Sequence, residues 1–188
     1  MQKLTRKQAL IAAGLLATLL FFTRYSAFGF SVYCANASMA VFFLGGLYLR
    51  RHLAFAALVA FALGIDLVAL AQGHVPAYLF TSAYLSEPLA YALLWYGGAQ
   101  CATSGLSRLA LIGASLPLAT LAFALTNGSF YWMSGLFEAT SLAGWVADFA
   151  QWAPLFVGIT VAYVGAVVLL HAAWQRLGGA LPHVARTA

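Results

Sequence analysis

The chain has 188 residues, of which 64% are hydrophobic and 7% charged, and it carries a net charge of +5. Soluble domains hold about 25% charged residues, so this composition excludes a water-covered surface and points to an integral membrane protein. The basic residues stand in small groups at segment ends, which excludes a nucleic-acid-binding role that needs a concentrated basic patch on a soluble face.

A spanning helix needs about 20 mostly apolar residues. Six segments approach this, at residues 8–23, 35–49, 53–71, 78–98, 106–126 and 154–174. The second is short, and is expected to be extended by residues 28–33 or to lie tilted. No repeat or soluble domain interrupts them, so residues 1–188 are expected to form one all-α, polytopic membrane domain. Lys3, Arg6, Lys7, Arg50, Arg51, Arg108, Arg176 and Arg186 fall on one side of a six-helix arrangement, and Arg24 alone on the other. By the positive-inside rule, both termini are expected to be cytoplasmic.

The first segment has a basic start and an apolar core. The cleavage-like Ala35-Asn36-Ala37 lies too far beyond Phe22 for a signal peptide, so the segment is expected to stay as a helix. The glycosylation-type tripeptides at Asn36 and Asn127 are read as unmodified. Ala9, Ala13 and Ala17 are spaced four apart, a small-residue stripe that lets another helix approach closely. Its partner is either the rest of this chain or a second membrane subunit.

Asp66 and Glu87 are the carboxylates inside the strongly apolar region. A charge in a bilayer costs a few kcal/mol, and chains keep one where it faces a cavity or a polar partner. Tyr84, Glu87 and Tyr91 share one face of a helix, and Pro88 is expected to bend that helix by removing a hydrogen-bond donor. Helical rise places Asp66 and Glu87 in the outer half or near the middle of the membrane. They read as the polar wall of a binding site, or as structural polar groups.

Residues 127–153 hold Phe130, Tyr131, Trp132, Phe137, Trp145, Phe149 and Trp152 together with Glu138 and Asp148. An interfacial aromatic belt explains part of this richness. The surplus predicts a partly helical lid over an outward-facing pocket, with rings to stack on a flat ligand.

Motifs for zinc proteolysis, serine hydrolysis and phosphate-loop chemistry are absent from the sequence. His52, His74, His171 and His183 are scattered, so no resident metal and no cofactor of the protein's own is expected. Cys34 and Cys101 are expected on opposite sides of the membrane and unpaired. Cys34 sits at the outer mouth beside Tyr33 and Asn36. It reads as a small apolar filler or as a thiol able to ligate a metal carried by a bound ligand.

The helix count, the outward pocket and the Ala-x-x-x-Ala stripe resemble the substrate-binding S-components of energy-coupling-factor (ECF) vitamin transporters. Residues 36–50, Asn-Ala-Ser-Met-Ala-Val-Phe-Phe-Leu-Gly-Gly-Leu-Tyr-Leu-Arg, with Asp66 and Ala83-Tyr84 downstream, resemble the solitary cobalamin (vitamin B12) transporters of Gram-negative bacteria. The resemblance covers most of residues 1–95. It implies uptake of cobalamin or a related corrinoid across the bacterial inner membrane, with Asp66 and Tyr84 lining the corrinoid pocket. It also implies that Ala9, Ala13 and Ala17 contact a transmembrane coupling subunit, although solitary members work without a dedicated ATPase.

Some members carry a cobalt-binding cysteine just before the position matching Ala83-Tyr84, where this chain has Tyr78, Leu79 and Phe80. The resemblance therefore does not carry cobalt ligation or reductive chemistry over to this chain, and Cys34 is only a weak candidate substitute. The expected ligand-contact set is Asp66, Tyr84, Glu87, Tyr91, Asn36, Cys34 and Trp132. Other readings are uptake of another small vitamin or precursor, a proton-coupled carrier using Asp66 and Glu87, and a membrane enzyme acting through Cys34. A pocket too small for a corrinoid favours the first of these.

Overall fold

The computed structural model describes residues 4–26, 35–74 and 80–178. Its elements are α1 (Arg6–Ser26), α2 (Ser38–Tyr48), α3 (His52–Ala71), a 3-10 turn (Ser82–Leu85), α4 (Ser86–Thr103), α5 (Arg108–Met133) and α6 (Leu142–Gly178). Four of the described helices are long and apolar enough to cross a membrane, over Arg6–Arg24, His52–Ala71, Arg108–Met133 and Leu142–Arg176. Large apolar side chains such as Leu10, Leu53, Leu109 and Leu170 lie mostly exposed, as suits a surface that meets lipid.

Local sequence sets several helix starts. Thr5 and Gln8 form a reciprocal cap before α1, with Gln8 N donating to Thr5 Oγ1 and Thr5 N to Gln8 Oε1. Ser107 caps α5 by accepting from Ala110 N at 3.2 Å. Asn36 Oδ1 accepts from both Ser38 N and Ser38 Oγ, at 2.8 and 2.6 Å, and so fixes the entry to α2.

At 11 residues, α2 is about 16 Å long, too short for a bilayer core of about 30 Å. It is the centre of the bundle, with every residue from Val41 to Leu47 buried. Its closest neighbour is α4. A methyl group added at Gly46 would lie 1.8 Å from the Trp95 carbonyl oxygen, and one at Gly98 would lie 2.2 Å from that of Phe43. Glycine on both sides therefore brings the two backbones into direct contact. Phe42 stacks on Tyr91 across the same interface, with ring centroids 4.0 Å apart.

Two expectations need correction. Pro88 falls in the first turn of α4, where its missing N–H has no intrahelical partner to lose, so it begins the helix rather than bending it. The preceding residues turn as a 3-10 helix instead. The aromatic segment 127–153 is partly helical and lines a cavity through Phe130, Phe137 and Trp152, but the helix bounds differ: residues 127–133 continue α5 and residues 142–153 begin α6. Only 134–141 connect them, with Gly135 at φ 73°. Pro154, expected to open a helix, lies inside α6, an arrangement membrane helices tolerate because neighbours satisfy the freed carbonyl. The alanine stripe meets one of the two partners open to it: Ala9, Ala13 and Ala17 pack half-buried against the chain's own core. The face α1 turns outward carries Leu10, Ile11, Leu15 and Phe22.

Candidate functional site

Near the end of α1, the side chain of Arg24 is 4% exposed, in a molecule whose apolar composition makes a buried cation expensive. It is held by residues from three other helices. Arg24 Nε donates to Asp66 Oδ1 at 2.6 Å and Nη2 to Asp66 Oδ2, a two-point pair with α3. Nη2 also donates to Glu87 Oε2 at 2.8 Å, on α4. Nη1 donates to Ser38 Oγ at 3.0 Å and to Tyr91 OH at 2.6 Å, on α2 and α4. These bonds occupy all five N–H donors of the guanidinium.

The acceptors are themselves tied together. Tyr84 OH donates to Asp66 Oδ2, and Tyr91 OH donates to Glu87 Oε2 at 3.0 Å, one helical turn away. Ser38 Oγ donates to Asn36 Oδ1. A buried ion pair holds only where its remaining donors and acceptors are satisfied, and this cluster meets that condition. It has one cation for two carboxylates, and the Glu87 side chain remains 31% exposed.

The cluster is the polar floor of a cavity of about 580 Å³. Phe80, Phe123, Phe130, Phe137, Trp152 and Phe156 supply its aromatic walls. Asn127 and Asp148 add a second polar group between α5 and α6: Asn127 Nδ2 donates to Asp148 Oδ2 at 2.7 Å, and Trp145 Nε1 donates to Asn127 Oδ1 at 3.0 Å. Such a site offers carboxylate and amide acceptors at one end and flat apolar surface around it. It suits a ligand that combines N–H or cationic groups with a ring system.

Of the residues expected to touch ligand, Asp66, Tyr84, Glu87, Tyr91 and Asn36 line this one cavity. Trp132 does not. It is half-exposed and stands edge-on to Tyr131, while Phe130, Phe137 and Trp152 supply the aromatic contact instead. The helical continuation of α5 explains the difference, since neighbouring residues on a helix point in different directions. Cys34, and with it the candidate cobalt ligand, lies outside the described residues. Arg24, read as an orientation signal, is the centre of the floor. Its signal was present in the sequence: two intramembrane carboxylates need a cation, and Arg24 is the one basic residue expected on their side.

No protein-family model matches the chain, and the comparison with curated proteins finds no match.

Proposed function

We propose that this protein takes up a vitamin from outside the cell across a bacterial inner membrane, as an S-component-like binding protein, and that its ligand is cobalamin or a related corrinoid. In this reading the chain crosses the membrane six times, with both termini cytoplasmic and the aromatic cavity facing outward. One observation carries the proposal: Asp66 and Tyr84, the two residues that the family resemblance assigns to the corrinoid pocket, are hydrogen-bonded to each other in the wall of one cavity. Glu87, Asn127 and Asp148 would accept from amide groups on the rim of a corrin ring, and the aromatic walls would lie against its flat face.

A second reading keeps the uptake role with a smaller vitamin or heterocyclic precursor. It draws on the cavity volume of about 580 Å³, which sits within the range of about 300–1,000 Å³ typical for drug-sized ligands. A corrinoid would fill the cavity and extend through its mouth, whereas a smaller ligand would be enclosed.

The visible absorption spectrum of protein purified from cells supplied with cobalamin tests the first reading. A corrinoid band co-eluting at about one per protein, and lost in Tyr84→Ala, is expected. A colourless protein that also fails to take up added cobalamin would remove the corrinoid, and a screen of smaller vitamins would then decide the second reading.

A further inference from the structure

At the opposite end of the bundle lies a second cavity, of about 410 Å³, where the C-terminal end of α2, the start of α5, the last turns of α6 and the start of α1 converge. Arg50, Arg108, His171, Tyr48, Gln8 and Gln175 supply its polar lining. We propose that this cavity binds a phosphate group.

Charge makes the first argument. The chain has four side-chain carboxylates, and none lines this cavity. Asp66, Glu87 and Asp148 line the other cavity, and Glu138 follows Phe137, another residue of that wall. Two arginines therefore share a concave site with no side-chain carboxylate to neutralise them.

Hydrogen bonding makes the second. Arg108 Nη2 donates to Gln175 Oε1 at 2.8 Å, Gln175 Nε2 meets His171 Nε2 at 3.1 Å, and His171 Nδ1 meets Tyr48 OH at 3.0 Å. That chain fixes side chains along one wall without supplying a counter-charge. Among the described residues, the Arg50 guanidinium has no acceptor. It nevertheless lines the cavity from a half-buried position.

Backbone conformation makes the third. Arg50 has φ 52°, the one non-glycine residue at positive φ among those described. This conformation is uncommon for an L side chain and tends to persist at ligand clamps. An arginine that merely orients a membrane helix needs charge on the correct side, not a strained backbone over a cavity. Guanidinium groups bind phosphate oxygens through paired N–H donors, and the positive end of the α5 dipole adds to the field at the same place.

Phosphate could be presented by an anionic lipid headgroup or by a soluble phosphate. The test uses the full chain in detergent and follows thermal unfolding by tryptophan fluorescence, with native mass spectrometry to count bound lipid. The probes are mixed micelles with dioleoylphosphatidylglycerol, the same with dioleoylphosphatidylcholine, and inorganic phosphate alone. Stabilisation by the anionic lipid, or by inorganic phosphate, is expected and identifies the source. The double variant Arg50→Gln/Arg108→Gln should weaken that binding by about tenfold or more for each arginine. Arg176→Gln, outside the cavity on α6, should leave it unchanged.

Arg50→Gly guards against misfolding as the cause, because glycine accepts positive φ without strain; it should fold normally and still lose affinity. The proposal is overturned if no probe stabilises the protein, if the cavity variants respond like the parent, or if Arg176→Gln weakens binding equally. None of these outcomes depends on the outer cavity or its ligand.

Discussion

Arg24 and Asp66, 42 residues apart in sequence, form a two-point ion pair that ties α1 to α3, with Nε 2.6 Å from Oδ1. Both are almost wholly buried. The pair's strength is a consequence of its surroundings: deleting Arg24 leaves the buried Asp66 carboxylate without its cation, with the Tyr84 hydroxyl still donating to it.

Arg24→Met should therefore destabilise the protein by about 3–5 kcal/mol, the usual result of breaking a buried pair from one side. The double variant Arg24→Gln/Asp66→Asn replaces the charges with amides that can still bond to each other, and should recover much of that loss. Unfolding in detergent, run as a double-mutant cycle, measures the coupling. Additive losses would show that the two side chains do not act as a pair.

The contact of α2 with α4 makes a second prediction. Gly46→Ala would press a methyl group into the Trp95 carbonyl, 1.8 Å away, and backbone cannot yield as a side-chain tip can. The expected cost is at the upper end of the overpacking range, about 3 kcal/mol or more. Gly113→Ala, on an exposed face of α5 with open space around it, should be neutral or gain up to about 1 kcal/mol from helix propensity. Detergent-resistant folded fraction compares the two directly.

Ligand affinity separates the aromatic residues around the cavity over Arg24. Trp152→Ala removes a ring from the wall and should weaken binding roughly tenfold, the scale of one lost ring contact with its buried area. Trp132→Ala, outside the cavity, should leave affinity within about twofold while keeping the fold. Titration with whichever ligand the purified protein binds reads both values, and equal losses would relocate the aromatic contact surface.

Placement of the alanine stripe can be checked without a partner. Ala13→Leu forces bulk between α1 and the core and should cost about 1–3 kcal/mol. Leu10→Ala, on the exposed face of the same helix, should cost much less in detergent. The reverse order would put the stripe on the outside of the bundle.

Asp66, Tyr84, Glu87 and Tyr91 were legible in the sequence because an intramembrane carboxylate is costly and helical spacing gathers its neighbours. Arg24 carried a signal that two readings share, since a lone arginine at a segment end also has the signature of a topological marker, and its partners come from α2, α3 and α4. The ends of the two helices around residues 127–153 were misread for a different reason. Glycines 128 and 144 and Pro154 look like breaks, yet α5 and α6 run through them, because tertiary contacts outweigh propensity there. Tyr131 OH accepts from Ser141 N at 3.3 Å and so braces the connection. The short second segment was visible as a length, but its position at the centre of the bundle was not, because the surface that buries it belongs to other helices.

That central helix has a further effect. Ser38 and Met39 at one end of α2 line the cavity over Arg24, and Leu47 and Tyr48 at the other end line the opposite one. With about 16 Å of packed helix between them, α2 is a partition wall, and each cavity is the space left where the wall stops short. A ligand resting on the Arg24 floor would meet that wall along the bundle axis. Gly46 and Gly98 set the α2 and α4 backbones in direct contact, so for the two cavities to communicate through the wall, both helices would have to shift together.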